Sequence, residues 1–210
     1  MYTLKDKVAY IISYFANKEI IKTELIYNNP YELLIAIILS AQCLDARVNI
    51  VTKYLFQKYK SFHELSTAKV EDVYAIIKSI SYPQVKAKNI IQVSSIIHND
   101  YHDIIPNSLQ KLIEIKGIGR KTGILTLAIL YNYQGIAVDT HVARVSQRLG
   151  LVPKTENTYK IELALSHLFP SDMHNKLNPW FVIFGRYTCK SKKPMCDKCE
   201  LKNICCYNNN

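Results

Sequence analysis

Two side chains in this sequence could carry out covalent chemistry together. Lys121 offers an amine and Asp139 a carboxylate, eighteen positions apart in a chain of 210 residues. A deprotonated amine is a nucleophile. A carboxylate can accept the amine's proton or stabilise positive charge developing beside it. Burial, a positive helix end and the neighbouring cation Arg120 would each help a lysine shed its proton, and a charged Asp139 close by would oppose them. Taken singly, each residue has a plainer use. Lys121 could be a phosphate contact, and Asp139 a helix cap worth about 1 kcal/mol.

A second group is formed by Cys189, Cys196, Cys199 and Cys205, spaced C-x6-C-x2-C-x5-C. Four thiolates this close in a reduced chain point to a metal centre. Zinc and a [4Fe–4S] cluster both accept four cysteines, and ligand type does not separate them. Cys206 is a spare or rival ligand, and Cys43 reads as a buried free thiol. The loop after Cys189 carries Lys190, Lys192 and Lys193, a basic knob that would suit phosphate.

The elements that must position these groups are legible. Lys116-Gly117-Ile118-Gly119-Arg120-Lys121-Thr122-Gly123 brackets one apolar residue with two glycines. Leu109, Leu112 and Ile113 lie at helical spacing before it, and Ile124–Leu130 is an apolar run after it. The whole reads helix, hairpin, helix, with Gly117 and Gly119 able to turn tightly and to present bare amides to a phosphate oxygen. Lys121 falls in the first turn of the second helix. That helix carries the chain away by about 17 Å. Residues 133–138, nearly extended, can return about 20 Å, so Asp139 can come back beside Lys121 with little slack.

The rest of the chain predicts an all-α fold. Leu4, Val8, Ile11, Ile12 and Phe15 form one face of a first helix with Thr3 as its cap. Asn29-Pro30 opens a helix to Leu39 that is apolar nearly all round and so central. Asp45 can cap the next, and Val70–Ile80 forms another, broken by Ser81-Tyr82-Pro83. A helix bearing Ala87, Ile90, Ile91 and Ile97 follows. Asp139 caps a helix to Leu149, closed by Gly150. Thr158–Phe169 and Trp180–Tyr187 complete the set, with Pro179 either opening the last helix or kinking it. The Asn208–Asn210 tail is expected to fray.

Lys+Arg number 27 against 17 Asp+Glu, a formal charge of +10, which favours a polyanionic partner. The longest apolar run, Leu33–Leu39, is too short for a bilayer span, and the N-terminus lacks a signal-peptide pattern. A cytoplasmic location is therefore expected.

Taken together, the octapeptide, Val138-Asp139-Thr140-His141-Val142-Ala143-Arg144-Val145 and the four-cysteine spacing resemble the endonuclease III family. Its members are helix-hairpin-helix DNA glycosylases with an iron–sulfur cluster. Ser40-Ala41-Gln42 and Lys86-Ala87 also match it. The resemblance covers nearly the whole chain. It implies two domains with a cleft between them: residues 23–133 as a six-helix domain with the hairpin, and residues 1–22 with 134–210 as the cluster domain. It implies a [4Fe–4S] cofactor on Cys189, Cys196, Cys199 and Cys205. It implies a monomer acting on double-stranded DNA with damaged bases or abasic sites, associated with the nucleoid if bacterial. Lys121 would attack C1′ of a flipped nucleotide, displace an oxidised pyrimidine and form a Schiff base, with β-elimination cutting the strand. Asp139 would assist. Gly117, Gly119, Arg120, Lys190, Lys192 and Lys193 would hold DNA. Gln42 would fill the vacated space, and Tyr82 would wedge into the opposite strand.

The sequence departs from that pattern at three points. Tyr82 stands where the family often has Leu, Lys116 replaces Pro before the hairpin, and Gly123 replaces Ala. Tyr82 bears on opposite-base preference, since an aromatic wedge inserts or stacks differently. Among rivals, an adenine glycosylase of the same superfamily lacks the lysine at position 121 and carries a further C-terminal domain. A non-catalytic DNA-binding module would need only the hairpin and the charge. An electron-transfer ferredoxin would need a second cluster motif that is missing.

Overall fold

The computed structural model describes residues 2–16, 18 and 23–207, so the Asn208–Asn210 tail lies outside the described residues. Among these residues every regular element is helical and none is a strand. The chain divides into two compact units, residues 23–133 and residues 1–22 with 134–210.

The first helix, α1 (Leu4–Ala16), belongs to the second of these units. Its start is a reciprocal cap. The Thr3 hydroxyl accepts from the Asp6 amide at 3.2 Å, and the Asp6 carboxylate accepts from the Thr3 amide at 2.9 Å.

The unit of residues 23–133 contains α2 (Pro30–Ser40), α3 (Asp45–Lys58), α4 (Phe62–Ser66), α5 (Val70–Ile77), α6 (Pro83–Tyr101), α7 (Leu109–Glu114) and α8 (Arg120–Tyr131). Helix α2 is central, as its all-round apolar surface requires. Leu33, Leu34, Ile35, Ala36 and Leu39 are wholly buried. Asn29 caps it, accepting from the Glu32 amide at 2.9 Å, with Pro30 at the position where a missing N–H costs nothing. Three details differ from the sequence reading. Asp45 is the first helical residue of α3 rather than its cap; Leu44 occupies that place without a side-chain bond. Helix α5 stops at Ile77, and Ile80 is buried from the following turn. The short α4 raises the helices from the expected six to seven. Ser61 nucleates it by accepting from the Glu64 amide at 3.1 Å, a local cap that periodicity over five residues does not reveal.

The other unit adds α9 (Thr140–Arg148), α10 (Thr158–Leu168) and α11 (His174–Tyr187) to α1. Phe15 stacks on Trp180 with ring centroids 5.1 Å apart, packing α1 against α11. Pro179 lies inside α11, which begins six residues before the predicted Trp180. The polar stretch His174–Asn178 hid this turn, since Leu177 is its one large apolar residue. Beside the proline, the buried Asn178 amide donates to the Ala137 carbonyl at 2.6 Å.

Candidate active site

The turn between α7 and α8 is built on one glycine that must be glycine and one that need not be. Gly117 has φ +106°, and a Cβ there would run into the Asn89 side-chain amide. Asn89 in α6 in turn donates to the Gly117 carbonyl at 3.0 Å, tying the turn to the long helix. Ile118 is buried beneath the turn, its amide bonded to the Ile115 carbonyl at 2.9 Å. Gly119 caps α8 with an ordinary φ of −82°, and a Cβ on it would meet nothing within 4 Å. The absent side chain at Gly119 therefore serves no packing inside the protein. It leaves the space beside residue 119, at the start of α8, clear. Arg120 and Lys121 follow in the first turn, both exposed, so the folded chain alone does not bury the Lys121 ammonium.

This difference gives a paired expectation. Gly117→Ala should destabilise the fold by about 1–3 kcal/mol, from left-handed backbone strain plus displacement of Asn89. Gly119→Ala should change stability by less than about 1 kcal/mol yet weaken duplex binding. Chemical denaturation and DNA titration of both variants check this; unaltered binding by Gly119→Ala would remove that turn from the interface.

The same unit brings Gln42 and Tyr82 together. Gln42 follows the end of α2, and Tyr82 immediately precedes α6. Both are exposed, and both have left-handed backbones, with φ of 54° and 52°. The Ser81 hydroxyl donates to the Gln42 carbonyl at 2.7 Å and so links the two loops. The Lys86 ammonium, buried between them, reaches the Leu39 carbonyl at 2.8 Å and the Ala41 carbonyl at 2.6 Å.

Asp139 lies in the other unit. Its Oδ1 accepts from the His141 and Val142 amides at 2.9 and 2.8 Å, which caps α9. One carboxylate oxygen is thus fixed by the helix start, and the group is half-buried. The following turns of α9 grip the cysteine segment. Arg144 donates to the carbonyls of Cys189 at 3.1 Å and Gly185 at 3.0 Å. Arg148 donates to the carbonyls of Lys190 at 2.7 Å and Ser191 at 3.0 Å and stands 3.5 Å from the Cys189 sulfur. Its own carbonyl accepts from the Cys205 thiol at 3.3 Å and the Tyr207 amide at 3.0 Å. Helix α9 therefore carries Asp139 at one end and anchors the cysteine segment along its length. Arg144 and Arg148 lie one helical turn apart in the sequence, a spacing that by itself does not name these partners.

Cys189, Cys199 and Cys205 pack against the core of this unit, and Cys196 opens a short 3-10 turn. Burial pushes the Cys199 thiol up, and the neighbouring Cys205, Cys189 and Cys196 add to the shift. All four sulfurs thus share one electrostatic neighbourhood. Among the described residues no three His, Cys, Asp or Glu side chains are gathered so as to hold a metal ion. Lys190, Lys192 and Lys193 are exposed on the loop that Arg148 holds, with Lys193 at φ 51°. Among the described residues no helix is long and apolar enough to cross a membrane.

The family model of the HhH-GPD superfamily of base excision DNA repair proteins matches residues 35–171. The endonuclease III of Bacillus subtilis (strain 168) is 40% identical over 182 residues, covering 87% of this chain and 83% of that protein. The chain belongs to the endonuclease III family. A second endonuclease III, from Rickettsia conorii, is 40% identical over 186 residues, 89% of this chain and 88% of its own. Among solved structures, a covalent intermediate of an endonuclease III trapped on DNA, in an estranged-adenine complex, matches with a TM-score of 0.91. It is 34% identical, with 100% of this chain and 98% of that one covered.

Proposed function

We propose that this endonuclease III family member removes oxidised pyrimidines from duplex DNA and then cuts the strand by β-elimination through Lys121. That it is a DNA glycosylase/AP lyase of base-excision repair, acting on DNA, follows from the family. The finer reading is carried by one observation: a lysine amine in the first turn of α8, directly after a glycine, Gly119, beside which a Cβ would meet nothing within 4 Å.

In this account the amides of Gly117 and Gly119, with Arg120, hold a backbone phosphate beside the flipped nucleotide. Bound DNA excludes water from the exposed Lys121. The amine attacks C1′, and the C1′–N bond breaks with its electron pair leaving on the base, which takes up a proton. The C1′–O4′ bond then breaks, O4′ taking up a proton as the sugar ring opens, and the resulting protonated Schiff base acidifies the C2′ hydrogen. Loss of that proton expels the 3′ phosphate and cleaves the strand. Asp139 accepts the amine's proton or stabilises the positive charge at C1′. Gln42 fills the vacated space and Tyr82 enters the opposite strand. Lys190, Lys192 and Lys193 contact phosphates. Residues 23–133 act as the hairpin domain, and residues 1–22 with 134–210 as the cluster domain.

Cys189, Cys196, Cys199 and Cys205 would hold a [4Fe–4S] cluster. Their fit rests on Cys189, Cys199 and Cys205 packing against the core of one unit, with Cys196 opening the turn between them and the neighbouring cysteines helping to push the Cys199 thiol up. Zinc and a [4Fe–4S] cluster both accept four cysteines, and membership of the endonuclease III family favours the cluster. Bound there, such a cluster would brace the segment that these four residues span. The protein works as a cytoplasmic monomer.

The test is release of free base from duplexes carrying thymine glycol or adenine opposite guanine, using protein whose iron and zinc content is measured in the same preparation. Release of thymine glycol with iron bound is expected. Release of adenine alone, or zinc in place of iron, would overturn the corresponding part of the reading.

A further inference from the structure

We propose that Lys86 and Ser81 are positioning residues for base extrusion, forming a clasp that fixes the Gln42 and Tyr82 loops at one separation for entry into the duplex. This inference rests on the proposed roles of Gln42 and Tyr82.

The arrangement is costly. Lys86 is buried, and a buried ammonium is strongly disfavoured unless its three N–H donors are satisfied. Its three partners are neutral: the Leu39 carbonyl at 2.8 Å, the Ala41 carbonyl at 2.6 Å and the Ser81 hydroxyl at 3.1 Å. Burial accordingly pushes the Lys86 ammonium down from its ordinary value. Closing the end of α2 would need only the two carbonyls, a task that glycine or an exposed cation performs elsewhere. The third bond does something else. It ties the same α6 ammonium, already bonded to the α2 end, to Ser81 in the loop before α6.

Ser81 then passes the link onward. Its hydroxyl accepts from Lys86 and donates to the Gln42 carbonyl at 2.7 Å. The Lys86 backbone amide donates to the Tyr82 carbonyl at 3.0 Å. One lysine therefore holds the Tyr82 backbone through its own amide, and the Gln42 backbone through its side chain and Ser81.

The backbone at both ends shows why a clasp is needed. Gln42 and Tyr82 have φ of 54° and 52°, conformations that side-chain-bearing residues keep only where their surroundings impose them. Released, both would relax and swing their side chains away. Because a misplacement of about 1 Å can cost a hundredfold in rate, two strained loops that act on one base pair need a shared fixed point. The clasp is neutral at its rim and contributes no group to the reacting sugar.

The experiment uses Ser81→Ala, Ser81→Thr and Lys86→Met in the whole protein. The substrate is a thymine glycol duplex with 2-aminopurine beside the lesion. Fluorescence reads unstacking, single-turnover base release reads the chemistry in duplex, and borohydride trapping on a single-stranded abasic site reads chemistry that needs no extrusion. Ser81→Ala should fold normally, lose about tenfold in duplex base release and show a reduced fluorescence rise, with trapping within about twofold of the parent. Ser81→Thr should restore both. Lys86→Met should show a larger loss of the same kind; if it fails to fold, the Ser81 pair decides. Parent-like fluorescence and release in Ser81→Ala, or equal losses in release and trapping, would overturn the clasp. Failure of the parent protein itself to trap would instead overturn the proposed function, because the fluorescence change does not depend on Lys121.

Discussion

A Lys121→Ala variant is expected to lose strand cleavage at an abasic site by on the order of 10³-fold or more while keeping most of its affinity for duplex DNA. The substitution is structurally mild. Lys121 is exposed in the first turn of α8, and alanine is the strongest helix former. The variant therefore removes the amine and keeps the helix. If Lys121 were only a phosphate contact, the effect would fall elsewhere. Affinity would drop, its salt dependence would become shallower by about one charge, and cleavage by the saturated complex would continue. Single-turnover cleavage at saturating protein, alongside titrations at two salt concentrations, separates the outcomes. Cleavage at the parent rate by Lys121→Ala would end its role as nucleophile.

Asp139→Asn should slow base removal by about 10²–10⁴-fold with little change in stability. The structure makes this substitution unusually informative. Asp139 caps α9 through one oxygen that accepts from the His141 and Val142 amides. Asparagine caps a helix about as well as aspartate, so its carbonyl oxygen can keep both bonds. What vanishes is the charge and the ability to take a proton. Asp139→Ala would confound the two, since it also costs about 1 kcal/mol of capping. Thermal unfolding and single-turnover base release on the asparagine variant are the measurements. Unchanged release would reduce Asp139 to a cap.

The sequence was most legible where local rules suffice. Thr3, Asn29 and Asp139 cap the helices assigned to them, because capping involves residues only two or three apart. The central place of α2 followed from its apolar surface on every side. The hairpin followed from glycine spacing, though the two glycines proved unequal. Spacing cannot tell a residue needed for φ, Gly117, from one that leaves space open, Gly119. Long-range polar contacts were illegible. Nothing local to Lys86 shows that its ammonium turns inward to residues 39, 41 and 81. Arg144 and Arg148 looked like ordinary basic residues of a helix until their partners around residues 185–191 were seen. The start of α11 was left open because Pro179 reads either as a boundary or as a residue within the helix, as it proved to be, while the turn preceding it is polar.

The most direct test of the account is borohydride reduction of the protein mixed with a duplex bearing a single thymine glycol, followed by proteolysis and mass analysis of the adduct. A covalent protein–DNA species whose modified peptide carries the sugar on Lys121 is expected. Intact binding with no adduct, or an adduct on a different amine, would contradict it.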